Sequence, residues 1–278
     1  MGHDKLRKFA ENEGFACLLQ PDVRPLLKNG YTNLADHPLK GHWAERFGSG
    51  KGLVLELGCG KGEYSIALAL SAADYNYIGV DIKGARLWKG AKYVNENGLG
   101  NVAFLRTRIE FITAFFAPGE VDSIWLTFSD PQMKSPNSRL TSPVFLERYR
   151  RFLREGGTIH LKTDSRFLYR YTQALCAANS LNVTCSSDDL YAQKPEGFPP
   201  ELFEVRTFYE TMALKQGFTI KYISFCLSAG SPLKAPGSPS EPLQGGLELL
   251  PQALEQVKNG IFDEKYWRGI EEPRHFFG

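Results

Sequence analysis

Short apolar, β-branched runs alternate with stretches of helical periodicity through the middle of the chain. Strands that are apolar on both faces and separated by helices form parallel sheets covered on both sides, so this alternation predicts an α/β fold. In such sheets ligands bind beyond the carboxyl ends of the strands. The predicted strands are 52–57, 75–81, 101–106, 121–128, 157–163 and 218–227. The predicted helices lie near 62–72, 84–97, 109–116, 142–154, 165–179 and 201–215.

Changes in composition divide the chain into three parts. Residues 1–50 precede the first predicted strand and are interpreted as an N-terminal extension, while residues 51–228 hold the alternating pattern. The strand 218–227 is expected to pair antiparallel at the sheet edge, after a loop-like stretch NVTCSSDDLYAQKPEGFPPE. Residues 229–246 are rich in Pro, Gly and Ser, so the remainder, 229–278, is interpreted as a linker and tail.

Charge and cysteine content exclude several classes of protein. The 33 Lys and Arg nearly balance 31 Asp and Glu, so any nucleic-acid partner must be met by a local patch rather than by bulk charge. No uncharged apolar run approaches the roughly 18 residues of a membrane helix, and the N-terminus lacks the apolar core of a signal peptide. The five cysteines show no CxxC spacing, so the sequence predicts a cytoplasmic protein with neither a disulfide framework nor a metal site.

A glycine-rich bend follows the first predicted strand, in the run VLELGCGKGEYSIALAL. Gly58 and Gly60 let a ligand approach the backbone, and the next helix offers free N–H groups. The spacing GxGxG does not meet the GxGxxG dinucleotide fingerprint. Glu56 precedes the bend, and Asp81 ends the second strand, where a carboxylate can accept the hydroxyls of a ribose. Either acid alone could merely cap a loop; together they favour a nucleoside-bearing cofactor, S-adenosylmethionine rather than NAD.

Three separated motifs resemble known methyltransferases. The runs ELGCGKGEYSIALAL, IGVDIKGARLWKGAK and GLGNVAFLR resemble class I methyltransferases. TFSDPQMKSPNSRLTSPVFLERYRRFL, GGTIHLKTDS and VRTFYE are similar to the bacterial tRNA (guanine-N7)-methyltransferases. This resemblance covers roughly residues 50–227. It implies a Rossmann-like fold with a mostly parallel seven-stranded sheet, an antiparallel edge strand and helices on both faces. It also implies transfer of a methyl group from S-adenosylmethionine, without a metal, to N7 of guanine 46 in the tRNA variable loop.

The resemblance carries site residues onto matching positions of this chain. It implies that Asp130 is catalytic and lies near both the cofactor and the target base. The implied cofactor ligands are Glu56, Gly58, Gly60, Asp81 and Asp130, and the implied substrate ligands are Lys134, Asp164, Thr207 and Glu210. The chain departs from the family's pattern at Thr127 and Gln132, where Asn and Trp are frequent, and its basic run after Asp130 is sparse. Where many members hold an acid or amide against the adenine, this chain has RTRIE, residues 106–110.

The chemistry of guanine N7 sets what these residues must do. N7 has an available lone pair, so the enzyme needs no general base and must instead orient N7 toward the methyl carbon, which can supply roughly 7–11 kcal/mol. Transfer makes the purine positive and acidifies N1–H. A carboxylate accepting from N1–H and the 2-amino group would therefore select guanine and strengthen in the transition state. Asp130 or Asp164 is expected to do this.

Other interpretations of the same residues stay open at this point. Lys162 and Asp164 could form a local ion pair, and Thr207 with Glu210 could be a helix-capping pair, which is compatible with ligand binding. The run SDPQ loosely resembles the motif of methyltransferases that act on exocyclic amines. The third possibility is a non-catalytic tRNA-binding protein of the same fold. No obligate protein partner is predicted.

Overall fold

The structure is a computed structural model that describes residues 3–193 and 196–236. Its strands are β1 (Leu18–Leu19), β2 (Gly52–Leu57), β3 (Tyr75–Asp81), β4 (Val102–Arg106), β5 (Val121–Thr127), β6 (Leu153–Thr163), β7 (Val183–Ser187) and β8 (Lys221–Cys226). Its α-helices are α1 (His3–Asn12), α2 (Trp43–Phe47), α3 (Glu63–Ser71), α4 (Gly84–Asn97), α5 (Pro143–Tyr149), α6 (Arg166–Ala178), α7 (Leu190–Gln193), α8 (Glu201–Glu204) and α9 (Phe208–Lys215). Short 3₁₀ turns occupy Pro25–Leu27, Ile109–Ala114 and Pro136–Ser138.

The strands form one sheet in the order β1-β4-β3-β2-β5-β6-β8-β7. All neighbours pair in parallel except β8, which runs antiparallel to both β6 and β7. The predicted α/β class is confirmed, and the two-residue β1 adds an eighth strand to the seven expected. Strand order reverses between β3–β2 and β5–β6, so the carboxyl ends of β2, β3, β5 and β6 enclose the crevice where such folds bind ligands.

Two details of the predicted C-terminal half were wrong. The strand predicted at 218–227 is not itself the edge, because Val183–Ser187 forms β7 outside it. Most of β7 is exposed and polar, as an edge strand is, so it carries no apolar run by which a sequence pattern could find it. The helix predicted at 201–215 is broken into α8 and α9, because Thr207 caps a new helix start.

Residues before β2 pack onto the same core as the sheet. The fully buried indole of Trp43 donates its Nε1–H to the carbonyl of Phe115 at 2.8 Å and stacks on Phe116 at 5.3 Å between centroids. Asn12, at the end of α1, donates to the carbonyl of Gly84 at the start of α4. The predicted N-terminal extension therefore covers one side of the sheet and reaches the first turn of α4, next to Asp81.

The first residues of the predicted linker are held on the body of the protein. The side chain of Asn179 accepts from the backbone N–H of Lys234 at 2.7 Å and donates to its carbonyl at 2.8 Å. Glu147 accepts from the backbone of Leu233. Residues 237–278, which include most of the predicted linker and tail, lie outside the described residues. Within the described ranges no helix is long and apolar enough to cross a membrane.

Candidate functional site

The glycine-rich bend between β2 and α3 is built from left-handed backbone. Gly58, Gly60 and Gly62 have φ values of +80°, +60° and +75°, which side-chain-bearing residues rarely adopt. Gly62 also packs closely, since a Cβ there would lie 2.3 Å from the ring of Phe104. At Gly58 and Gly60 nothing lies within 4 Å of such a Cβ, so these two positions present bare backbone to open space. A ligand can therefore approach the backbone more closely at these two glycines than it could if they carried side chains.

Glu56 stands directly beneath this bend and is buried. Its Oε2 accepts from the backbone N–H of Ser65 at 2.8 Å and from the Ser65 hydroxyl at 2.5 Å, while Oε1 accepts from the Thr127 hydroxyl at 2.5 Å. Burial raises the pKa of Glu56 to about 7, and the hydroxyls of Ser65 and Thr127 together with the backbone N–H of Ser65 oppose that rise. The side chain thus joins β2, α3 and β5 beneath the open face of the bend.

Asp81 lies at the carboxyl end of β3 and faces the same bend. Its Oδ2 accepts from the backbone N–H of Gly60 at 3.0 Å, and its Oδ1 accepts from the backbone N–H of Lys83 at 2.7 Å. A carboxylate has about four acceptor positions, so two remain for a ligand. The structure therefore brings Glu56, Gly58, Gly60 and Asp81 together, as the sequence predicts.

The chain just after β5 has unusual backbone geometry. Phe128 and Gln132 have φ values of +50° and +47°, although neither is glycine. Such conformations cost about 1–3 kcal/mol and cluster at functional sites. Between them Asp130 is exposed, and its Oδ1 accepts from the backbone N–H of Gln132 at 2.8 Å. Lys134 is exposed in the same loop, so both predicted loop residues face solvent.

Arg139 fixes this loop from behind. It is 5% exposed, lies over the rings of Phe167 at 4.8 Å and Tyr171 at 4.5 Å, and donates from Nε to the carbonyl of Pro131. Because Pro131 directly follows Asp130, the guanidinium limits how far that carboxylate can move. The sequence carries no signal for this role of Arg139, since one arginine in a sparse basic run looks like a surface charge.

Asp164 follows β6 and meets an aromatic pair. The hydroxyl of Tyr209 donates to Oδ2 of Asp164 at 3.3 Å, and the Tyr209 ring contacts that of Phe128 at 5.4 Å between centroids. Tyr209 remains 46% exposed, so one part of its ring is open to a ligand. Both aromatics lie inside quoted motifs, TFSDP and TFYE, yet the sequence gives no means of knowing that they meet.

Thr207 caps α9, as one of the open interpretations held. Its hydroxyl accepts from the backbone N–H of Glu210 at 3.1 Å, which confirms the capping pair. The start of α9 is also tied to α3, because Oε2 of Glu63 accepts from the backbone N–H of Phe208 at 2.9 Å. The first turn of α9 therefore lies beside the glycine-rich bend.

Glu210 differs from the other predicted substrate ligands in having no exposed surface. Its Oε1 lies 2.8 Å from Nζ of Lys162, and both side chains are 0% exposed. The alternative pairing of Lys162 with Asp164 is wrong, because the strand directs the ammonium into the interior, where it also donates to two backbone carbonyls. Burial lowers the pKa of Lys162, and the Glu210 carboxylate opposes that change.

Two buried hydroxyls near the sheet's carboxyl edge have no partner among the described residues. They are Oγ1 of Thr107, which follows β4, and Oγ of Ser129, which follows β5. Buried polar groups are normally satisfied, so each marks a place where a ligand or water can donate or accept. Thr107 belongs to the stretch 106–110, where the sequence left the adenine contact open. Across the described ranges no cluster of His, Cys, Asp and Glu could hold a metal ion.

The family model and the curated relatives agree on one family. The family model described as "Putative methyltransferase" matches residues 51–223. A tRNA (guanine-N(7)-)-methyltransferase of Bacteroides thetaiotaomicron is 46% identical over 237 residues, covering 85% of this chain and 90% of its own. One of Porphyromonas gingivalis is 52% identical over 191 residues, covering 68% of this chain and 78% of its own. The crystal structure of the 16S rRNA methyltransferase KamB, at 13% identity, covers 69% of this chain and 96% of its own with a TM-score of 0.52, which supports the fold alone.

Proposed function

The chain belongs to the tRNA (guanine-N7)-methyltransferase family, and on that premise we propose that it methylates N7 of guanine 46 in the tRNA variable loop, with S-adenosylmethionine as methyl donor. The observation that carries the proposal is the meeting of two parts at one edge of the sheet. One is the open glycine-rich bend with Asp81, and the other is the pair of accessible carboxylates, Asp130 and Asp164, after the adjacent strands β5 and β6.

The residues around the bend suit a nucleoside-bearing donor. Gly58 and Gly60 leave the backbone uncovered, Asp81 keeps two acceptor positions for ribose hydroxyls, and Thr107 offers an unpartnered hydroxyl beside them. We assign cofactor contact to Gly58, Gly60, Asp81 and Asp130. Glu56 supports this surface from below through Ser65 and Thr127. When bound, S-adenosylmethionine supplies a methyl group on a positively charged sulfur.

The residues after β5 and β6 suit a guanine. Tyr209 offers a ring face for stacking, and stacking of a base on an aromatic side chain contributes about 1–3 kcal/mol. Asp164 keeps acceptor positions beyond the one used by Tyr209, so it can accept from N1–H and the 2-amino group of a stacked guanine. Thr207 places the first turn of α9 beside this base, and Lys134 extends from the Asp130 loop toward the RNA backbone, where a cation contacts phosphate.

These positions account for catalysis without a proton transfer at N7. Stacking and the Asp164 contact orient the lone pair of N7, and orientation of this kind can supply roughly 7–11 kcal/mol. As the purine becomes positive, its N1–H becomes a stronger donor, so the bond to Asp164 strengthens in the transition state. The carboxylate of Asp130, held by Gln132 and by Arg139 through Pro131, offsets the positive charge that moves between sulfur and base. We infer a cytoplasmic enzyme, since all five cysteines are free.

A methyl-transfer assay with product identification tests the proposal. Unmodified tRNA transcript is incubated with radiolabelled S-adenosylmethionine, and the product nucleoside is identified by mass spectrometry. We expect 7-methylguanosine, and we expect D130N and D164N each to lower kcat/KM by about 100-fold, the usual loss for a charge-stabilising group. D74N, an exposed acid at the amino end of β3, should leave kcat/KM unchanged. A methylated exocyclic amine, or unchanged rates for D130N and D164N, would contradict it.

A further inference from the structure

The segment that carries α8 and the start of α9 is held in place by one buried ammonium. Nζ of Lys162 donates to the carbonyl of Leu202 at 2.8 Å, to the carbonyl of Val205 at 3.0 Å and to Oε1 of Glu210 at 2.8 Å. A lysine ammonium has three protons, so all of them are used on residues 202–210. Lys162 lies on β6, two positions before Asp164, and therefore ties this segment to the strand that carries the proposed guanine contact.

The carboxylate of Glu210 is committed to this same interior. Its Oε1 also accepts from the hydroxyl of Tyr191 at 2.5 Å, while Oε2 has no partner among the described residues and no exposure. The rings of Tyr64 and Tyr191 lie 5.3 and 5.8 Å from the ammonium, so the pair sits in aromatic surroundings. A charge in such a place is costly unless it keeps its partner. Glu210 cannot turn toward an RNA without leaving Lys162 unpaired.

What the pair holds is the part of the site that faces the substrate. Thr207 and Tyr209 lie between Val205 and Glu210, the two points that Lys162 fixes. Tyr209 reaches Asp164 and Phe128 from this turn, and no other described contact ties residues 202–206 to the sheet through a charged group. Loss of the ammonium would therefore loosen residues 202–206 and the Glu210 end of the turn, with the Glu63 bond to the backbone of Phe208 remaining, and would leave the glycine-rich bend and Asp81 in place.

We propose that Lys162 and Glu210 are positioning residues, a buried latch that sets Tyr209 and Asp164 for the substrate guanine, and that neither side chain touches the RNA. This inference rests on the proposed function and changes the role that the family resemblance gave Glu210. The latch acts on RNA binding and alignment through Tyr209, whereas the methyl donor is bound by the backbone of the bend and by Asp81, neither of which bonds to Lys162 or Glu210. Its disruption should therefore affect the two substrates unequally.

A double-mutant cycle tests the latch. Wild type, K162M, E210Q and K162M/E210Q are assayed with unmodified tRNA at a temperature well below the lowest Tm. We expect each single variant to lower kcat/KM for tRNA by about 10- to 100-fold through a higher KM, with the double variant no worse than the poorer single variant. The Kd for S-adenosylmethionine, measured by calorimetry, should change less than about threefold. If E210Q retains its full loss in the K162M background, Glu210 contacts the RNA directly and the latch is refuted.

Two further variants separate positioning from general destabilisation. L153A creates a cavity at the amino end of β6, about 20 Å from Lys162 by the register with β5, and should lower Tm without raising the KM for tRNA. If L153A raises that KM as much as K162M does, the latch is refuted. E210D keeps the negative charge but shortens the side chain. Should the other variants fail to fold, an unchanged KM for tRNA in E210D would likewise refute the latch. Hydrogen exchange of residues 202–210 should quicken in every latch variant, and unchanged exchange would overturn the inference.

Failure of the proposed function would look different. If wild type transfers no methyl group to tRNA, the proposed function falls, while exchange in residues 202–210 still decides whether Lys162 holds this segment. If wild type is active and the losses multiply, the function stands and the latch falls.

Discussion

The buried carboxyl of Glu56 should make the stability of the protein fall as pH rises through the neutral range. Burial raises its pKa from 4.5 to about 7, so the folded state favours the protonated form. A group with a raised pKa in the folded state contributes stability that is fully present below the unfolded-state pKa, here about 4.5. That contribution is lost as pH rises through the folded-state pKa. Each pKa unit corresponds to about 1.4 kcal/mol, so the loss between pH 4.5 and 8 is about 3 kcal/mol.

Comparison of wild type with E56Q isolates this effect from the other titrating groups. Urea unfolding followed by tryptophan fluorescence gives the free energy of unfolding of each protein at several pH values between 4.5 and 8. We expect the difference, wild type minus E56Q, to be about 3 kcal/mol larger at pH 4.5 than at pH 8. T127V removes one donor to the carboxylate, so it should extend the pH range of the loss upward. A difference that stays constant with pH would refute the reasoning, and one of opposite sign would mean that the Ser65 and Thr127 hydrogen bonds outweigh burial.

Two further predictions concern the glycine-rich bend and a partly buried histidine. G58A and G98A both place a Cβ at positive φ with nothing within 4 Å, so each should cost about 1–2 kcal/mol of stability. Only G58A should weaken S-adenosylmethionine binding in calorimetry. Equal affinities of the two variants would contradict the assignment of Gly58 to the cofactor site. Burial lowers the pKa of His160 to about 3, so its contribution is present above pH 6.5 and lost as pH falls toward 3. Between pH 7 and 4 the unfolding free energy of wild type should therefore fall by about 3 kcal/mol more than that of H160Q. Identical pH profiles for wild type and H160Q would show this wrong.

Sequence patterns predicted the parts of the fold that depend on local burial. Strands β2 to β6 and β8 are apolar and largely buried, so their composition marks them wherever the chain places them. The edge strand β7 escaped because it is exposed and its polar residues read as a loop. Because β7 was not predicted, β8 was placed at the sheet edge, one strand further out than it lies. Strand order depends on long-range pairing, and no local pattern encodes that pairing.

The candidate site follows the same division. The meeting of Gly58, Gly60 and Asp81 at one edge of the sheet was predictable, because they lie at the ends of strands that the pattern marks and parallel strands bring such ends together; their contact with a cofactor stays a prediction. The partners of the buried charges could not be predicted from the sequence. Lys162 and Glu210 are far apart in sequence and meet only because α9 folds back over β6, while Lys162 and Asp164 are close in sequence and face different environments. Residues two apart share a face only within a strand, and β6 ends at Thr163, between Lys162 and Asp164.

Burial therefore divides the motif acids into two kinds that their sequences do not distinguish. Glu56 and Glu210 have all or nearly all of their surface covered. Both oxygens of Glu56 and Oε1 of Glu210 are bonded to the protein, so these side chains fix the backbone around the site. Asp130 and Asp164 keep acceptor positions open at the sheet edge, so they can contact the reacting molecules. Substitution of the first kind should change stability and substrate binding together, because an uncompensated buried charge or donor destabilises the fold. Substitution of the second kind should change catalytic rate with little change in stability, because exposed Asp130 and partly exposed Asp164 both reach solvent in the absence of substrate.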